Sequence, residues 1–370
     1  MTTSGLVLVA GARPNFMKVA PILRALGAMS APFPRVLVHT GQHYDASMSD
    51  VFFRELEIPA PDVHLNAGSG SHGAQTARVL MAFEEFLTAS PQRPRGVVVV
   101  GDVNSTMACT LAASKLGVPV AHVEAGLRSF DRAMPEEINR VVTDAVADLL
   151  LTSEPSGAEN LAREGVDPGR VHFVGNVMID TLAQQLPAAR ALDVPSRLGL
   201  TRGRYALVTL HRPSNVDDPA RLAELVALLE RCARERMPAV FPAHPRTRER
   251  LERFGLLQRV RAGGVRVLDP LGYRENLGLM EAAGVVLTDS GGIQEETSFL
   301  GVPCLTLRPN TERPVTVTLG TNTLVGDDLG RAWALLGDIS EGRYKTGGPI
   351  EGWDGHAAER VARVLLDRWS

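Results

Sequence analysis

The residues from His122 to Arg140, HVEAGLRSFDRAMPEEINR, follow the apolar run GVPVA and place Glu124, Asp131, Glu136 and Glu137 within a short span, interleaved with Arg128, Arg132 and Arg140. Charges beside an apolar run usually form a solvated helix face. Pro135 followed by Glu136 and Glu137 is the expected start of a helix, where acidic groups complement the dipole. Glu137 is read in that minor role, with little bearing on activity. Glu124 has no such explanation, because it ends an apolar strand and precedes the turn-forming Ala125-Gly126. Asp102 in GDVNST occupies an equivalent strand end, with an N-cap for the next helix as the alternative reading. Carboxylates gathered at strand ends suit proton transfer.

Anion-binding groups recur in similar settings. GARPNFMK follows the first apolar strand and opens a helix, so Arg13, Lys18 and free helix N–H groups can hold an anion. In TDSGGIQEE, Ser290, Gly291 and Gly292 lead a helix start where small residues let backbone N–H groups approach a phosphate, and Glu296 lies about one turn on, placed for ribose hydroxyls. Together these loops suggest a nucleoside diphosphate. His211 in TLHRPSN and His244 in PAHPRT end strands and are functional candidates, whereas His122 and His172 sit in or beside apolar runs and read as structural. No HExxH or related spacing accompanies them, so no metal is expected. GSGSHG, residues 68–73, has the letters of a dinucleotide fingerprint, but PDVHLNA before it is not an apolar strand, so it reads as a loop over the site.

These groups need a scaffold that brings strand ends together. Short β-branched runs alternate with amphipathic stretches nearly end to end, the pattern of parallel sheets covered on both faces. The alternation lapses between residues 183 and 205, where Pro, Gly and Arg accumulate, and a linker is placed there. The expectation is α/β: two Rossmann-like doubly wound domains, 1–185 and 200–350, with a ligand cleft outside the carboxyl ends of their strands.

The composition narrows the partners. With 370 residues, 44% of them hydrophobic, and a formal net charge of -3, the chain can bury large cores and has no global field to recruit nucleic acid or an anionic membrane. Three separated cysteines read as buried thiols in a reducing, cytoplasmic setting, and no apolar run reaches the length a bilayer requires.

Taken in order, GARPNFMK, TGQHYD, GDVNST, HVEAGLRSFDRAMPEEINR, VGNVMIDTL, TLHRPSN, HPRT, DSGGIQEETSFLGVPCLTLR and NTERPVTV resemble the bacterial non-hydrolysing UDP-N-acetylglucosamine 2-epimerases. The resemblance covers most of the chain. It implies a GT-B type fold, with a C-terminal helix, residues 354–370, crossing back to the first domain. It implies reversible C2 epimerisation of UDP-GlcNAc and UDP-ManNAc, by elimination of UDP to 2-acetamidoglucal and re-addition, without a cofactor, in a homodimer. By resemblance Asp102, Glu124, Glu136 and His211 match catalytic positions. Arg13, Lys18, Ser290, Gly291, Gly292, Glu296 and Arg313 match nucleotide and phosphate contacts. Gln42 and His43 match a regulatory site, but Ala74 stands where regulated members carry Arg, which implies hyperbolic kinetics; Asn276 stands where many relatives have an aromatic residue near the uracil. Alternatives are a 2-epimerase of a modified UDP-sugar such as a 2,3-diacetamido uronic acid, hydrolytic release of ManNAc, a GT-B glycosyltransferase, and a non-catalytic nucleotide-sugar sensor.

Overall fold

The structure is a computed structural model, and its described residues are 4–41 and 56–369. The chain divides into two compact units, residues 1–184 with 351–370 and residues 185–350.

The first unit carries strands β1 (Leu6–Ala10), β2 (Arg35–His39), β3 (Val63–His64), β4 (Gly96–Val100), β5 (Val120–Ala125), β6 (Leu149–Thr152) and β7 (Val171–Phe173). They form one sheet in the order β3-β2-β1-β4-β5-β6-β7 with parallel pairing throughout. Every residue of β1, β4 and β5 is buried. Such runs exist because helices cover both faces of the sheet, which leaves no side of these strands for polar residues. The second unit carries β8 (Ala206–Thr209), β9 (Ala239–Pro242), β10 (Arg266–Leu268), β11 (Val285–Thr288), β12 (Cys304–Thr306) and β13 (Asn322–Leu324), in the order β10-β9-β8-β11-β12-β13 and again parallel. Both units are doubly wound Rossmann-like α/β folds, as expected for the GT-B type.

Strand order reverses between β1 and β4 in the first sheet and between β8 and β11 in the second. At such a switch point the two following helices leave on opposite faces, and a crevice opens beyond the strand ends. The segments that fill these places are GARPN after β1, GDVNST after β4, LHRPSN after β8 and DSGG after β11.

One segment departs from the sequence expectation. The presumed linker is largely helical, since Val177–Ala191 runs unbroken across the division between the units and Val194–Arg197 adds a further turn. Leu182, Gln185 and Ala189 are buried at helical spacing while Pro187 lies on the exposed side, so a stretch rich in helix breakers still has an amphipathic face. At the other end, the helix Ala357–Trp369 belongs to the first unit. The Asp180 carboxylate accepts from the N–H groups of Ala357 (3.1 Å) and Ala358 (2.6 Å), closing its N-terminus. The Trp369 ring lies over Gly96, where an added Cβ would sit 2.5 Å from it. Among the described residues no helix is long and apolar enough to cross a membrane.

Candidate active site

In the first unit the switch point is stapled before it is charged. Asn15 accepts from the N–H groups of Gly11 (3.1 Å) and Ala12 (2.9 Å), while its amide donates to the Val100 carbonyl (3.0 Å), locking the loop after β1 to the end of β4. Arg13 opens the helix Arg13–Ala28, and its side chain lies outside the described residues. Lys18, one turn further, is buried and forms an ion pair with Glu124. Glu124 adopts φ 75°, and the β5–β6 register shifts between Val123 and Ala125. A left-handed backbone costs a non-glycine residue roughly 1–2 kcal/mol and re-aims its side chain out of the strand pattern. Gly101 makes room for the pair: a Cβ there would come within 2.9 Å of Lys18 Nζ and 3.4 Å of Glu124 Oε2.

Asp102 follows Gly101. It is not the cap of the next helix, because Val103 holds that position and its side chain makes no capping bond. The Asp102 carboxylate instead meets Arg140 Nη1 at 2.5 Å, and its carbonyl accepts from Asn139 Nδ2 at 2.8 Å. Both partners lie on the helix Pro135–Val146, where Glu136, half-buried, occupies the first turn.

The reading of Glu137 as a simple dipole complement is wrong. Glu137 is only 3% exposed and accepts from Ser129 N (2.9 Å), Ser129 Oγ (3.0 Å), Phe130 N (2.9 Å), and Arg140 Nε (3.2 Å) and Nη2 (2.8 Å). Burial opposes its charge, but the Ser129 N–H and the Arg140 guanidinium outweigh that and hold its carboxyl below the usual glutamate range. It therefore anchors the loop before the helix and orients the arginine that grips Asp102. The signal was available in part, since Glu137, Arg140 and Asp144 recur at intervals of three and four and share one helix face.

The second unit assembles its own set. His211 Nδ1 lies 3.0 Å from Asp289 Oδ1, and the same carboxylate accepts from the backbone N–H groups of His211 (3.1 Å) and Arg212 (2.9 Å) and from Asn215 Nδ2 (3.2 Å). Asp289 is fully buried; burial opposes its charge, yet the His211 side chain and these donors hold its carboxyl below the usual aspartate range. The His244 ring lies 5.8 Å from that of His211, and His244 Nδ1 caps the helix Pro245–Arg253 by accepting from Arg246 N (3.3 Å).

Ser290 precedes the helix Gly291–Leu300 without a side-chain capping bond. The two glycines serve different ends. A Cβ on Gly291 would strike Glu312 Oε1 at 2.6 Å and Arg313 Nη1 at 3.1 Å, so its bareness accommodates the protein's own side chains, whereas nothing lies within 4 Å of one on Gly292. Arg313, buried, pairs with Glu295 and Glu312 at 2.6 Å each, and Arg308 joins Glu312 at 3.1 Å. Glu296, 4% exposed, accepts from Tyr273 Oη at 3.1 Å. Burial, and then the nearby Glu295, push its carboxyl up to about 7, against the opposing pull of the tyrosine hydroxyl. Tyr273 carries no motif in the sequence that would single it out, and Asp289, though it opens the DSGG stretch, is passed over in the sequence reading for its neighbours Ser290, Gly291 and Gly292. Gln42 and His43 lie outside the described residues. Ala74 sits in the first turn of the helix His72–Ala89, which Ser71 of the GSGSHG stretch caps.

The family described as UDP-N-acetylglucosamine 2-epimerase matches residues 28–366. This chain belongs to the UDP-N-acetylglucosamine 2-epimerase family. Among its relatives is a Methanocaldococcus jannaschii protein named UDP-N-acetylglucosamine 2-epimerase, 40% identical over 365 residues that cover 97% of this chain and 98% of that one. A Pseudomonas aeruginosa relative named UDP-2,3-diacetamido-2,3-dideoxy-D-glucuronate 2-epimerase is 44% identical over 323 residues, covering 87% and 88%. The crystal structure of the Methanocaldococcus jannaschii UDP-GlcNAc 2-epimerase in complex with UDP-GlcNAc and UDP superposes with a TM-score of 0.89 at 40% identity, over 98% of this chain and 99% of that one. Within the epimerase family, then, this chain is an isomerase in fold and lineage.

Proposed function

We propose that this epimerase is non-hydrolysing and interconverts UDP-GlcNAc and UDP-ManNAc. The observation that carries the reading is the pair of strand-end carboxylates at the first unit's switch point, each held by a buried cation: Glu124 by Lys18 and Asp102 by Arg140. The hydrogen at C2 of the sugar is not adjacent to a carbonyl, so a base alone cannot give an enolate. Elimination solves this. As the C2 proton passes to a carboxylate, the C1–O bond breaks, UDP leaves with that electron pair, and 2-acetamidoglucal forms; re-addition of UDP with a proton delivered to the opposite face gives the epimer. Asp102, Glu124 and Glu136 are the proton-transfer groups of this scheme. Arg13, His211, Arg313 and the Ser290–Gly292 helix start stabilise the departing diphosphate, and Glu296 receives the ribose hydroxyls. Open space beyond Gly292 supports that placement of the phosphates. The scheme is redox-neutral and calls for no cofactor.

The test is proton NMR of a UDP-sugar panel with the purified enzyme in heavy water. UDP-GlcNAc should equilibrate with UDP-ManNAc and gain deuterium at C2; accumulation of free ManNAc, or no exchange with any UDP-hexosamine, would sink the reading. The 44% identity to the Pseudomonas aeruginosa relative supports a second substrate, a UDP-2,3-diacetamido uronic acid, as an arm of the same panel. Turnover of UDP-ManNAc should be hyperbolic without added UDP-GlcNAc, given Ala74; an obligatory lag relieved by UDP-GlcNAc would contradict that.

A further inference from the structure

His122 lies inside β5, fully buried, and has no part in the proton transfers assigned to Asp102, Glu124 and Glu136. Both of its ring nitrogens are nonetheless engaged. Nδ1 lies 2.6 Å from Asp144 Oδ1, and Nε2 lies 2.8 Å from the Gly101 carbonyl oxygen. The other oxygen of Asp144 accepts from the Gly126 N–H at 3.0 Å and from Arg128 Nη1 at 2.7 Å. Arg128 is in turn closed off by Glu164, and the Gly126 carbonyl accepts from Asn160 Nδ2 at 2.9 Å.

The two backbone positions held this way are not arbitrary. Gly101 immediately precedes Asp102, and Gly126 lies two residues past Glu124. Gly101, Glu124 and Gly126 all have left-handed backbones, with φ of 67°, 75° and 79°. Such a conformation at a glutamate persists only where its surroundings over-determine it. Gly126 admits no side chain, since a Cβ there would meet the Gly157 carbonyl oxygen at 2.3 Å. Asp144 sits one turn after Arg140 on the helix Pro135–Val146, so the helix whose Arg140 grips the Asp102 side chain also reaches, through Asp144 and His122, the backbone of both strand ends.

We infer that His122 and Asp144 form a buried positioning pair that ties the turn before Asp102 to the turn after Glu124 and sets the spacing of these two carboxylates for proton transfer. The inference rests on the epimerase reading above. Neither side chain touches the sugar in this scheme; each acts through the backbone. Misplacing a reacting group by about an ångström costs on the order of a hundredfold in rate, so the pair is expected to govern kcat while leaving nucleotide binding alone.

The experiment compares His122→Phe, which keeps a ring but makes neither bond, with His122→Gln, whose amide can still donate to the Gly101 carbonyl. For each, kcat and KM for epimerisation, C2 deuterium exchange in heavy water, UDP affinity by calorimetry and the unfolding midpoint are measured. His122→Phe should lose roughly a hundredfold in kcat and in exchange, and His122→Gln should recover at least about tenfold of that, with UDP affinity within about threefold of wild type in both. Folded His122→Phe with kcat within about threefold of wild type overturns the inference, as does a parallel loss of kcat and UDP affinity that His122→Gln fails to rescue. If His122→Phe does not fold, Asp144→Asn and Asn160→Ala decide: the folded member of this pair should lower kcat about tenfold with UDP affinity kept, and unchanged kcat overturns the proposal. The wild type is the internal reference. Absence of C2 exchange in the wild type defeats the epimerase reading, whereas unaffected variants of an active wild type defeat the positioning pair alone.

Discussion

Glu136 and Glu137 are adjacent in sequence and differ in every physical respect that matters. Glu137 is buried and accepts from two backbone N–H groups, one hydroxyl and a guanidinium, whereas Glu136 is half-buried at the first turn. Removing one charge of a buried pair costs roughly 3–5 kcal/mol where the other is left uncompensated, and less here because Asp102 still pairs with Arg140. Glu137→Gln is therefore expected to lower the urea midpoint markedly and to disturb Asp102 through Arg140. Glu136→Gln should cost less than about 1 kcal/mol of stability and about a hundred- to ten-thousand-fold in C2 exchange. Urea titration followed by circular dichroism, paired with exchange rates, separates the two. An unshifted midpoint for Glu137→Gln would refute the anchor role, and near-normal exchange by Glu136→Gln would remove it from the proton-transfer set. The sequence shows that acidic residues crowd this place but not which of them is inside, because the donors that hold Glu137 are backbone N–H groups of residues 129 and 130 with no sequence signature.

At the scale of elements, strand ends and the helix starts behind them were legible because parallel strands buried on both faces leave unmistakable apolar runs. GARPN, GDVNST and DSGG fall where those runs stop, and the switch points gather them. Partner identity was not legible: the role of Gly101 in seating Lys18 beside Glu124, or of Gly291 in admitting Glu312, depends on side chains that arrive from distant segments. The segment around residues 183–205 misled because Pro and Gly density was weighed above the burial period of its helix. The helix Gly291–Leu300 gives the sharpest test of what such an element stores. Glu296 is held near pKa 7 in the fold, above its ordinary value of 4.5, so the protonated form is favoured. A raised pKa contributes stability that is fully present below the unfolded value and is lost as pH rises through the folded one. Between pH 5 and pH 8 the wild type should lose on the order of 3 kcal/mol from this group, and Glu296→Gln should escape that loss while weakening UDP binding. Thermal unfolding at the two pH values checks it: the variant's advantage must grow toward pH 8. A pH-independent difference would show that Glu296 does not titrate in this window.

For the molecule as a whole, the order of the chain matters. The first unit is begun by residues 1–184 and completed only by residues 351–370, after the whole of the second unit. The returning segment is bound by specific interactions within that unit. Asp180 closes the N-terminus of the helix Ala357–Trp369, Trp353 Nε1 donates to the Ser153 carbonyl at 3.1 Å, and Arg95 Nη1 donates to the Trp369 carbonyl at 3.0 Å. Ala357, Ala358, Val361, Ala362 and Leu365 form the buried stripe of that helix. Truncation after Ile350 would expose the apolar surface this stripe covers and leave Asp180 buried without its two donors. The second unit has its own core, from Ala206 through Leu336. The truncated chain should therefore unfold in two separated steps, with the second unit's transition near its wild-type position and the first unit's shifted to lower denaturant or absent. Asp180→Ala is the milder form of the same experiment: losing a cap costs typically about 1 kcal/mol, and up to about 2, so it should shift only the first unit's transition. Hydrogen exchange read segment by segment distinguishes the units directly. Loss of protection confined to residues 185–350 in either variant would mean that the returning helix supports the wrong unit, and uniform loss would mean that the two units unfold as one.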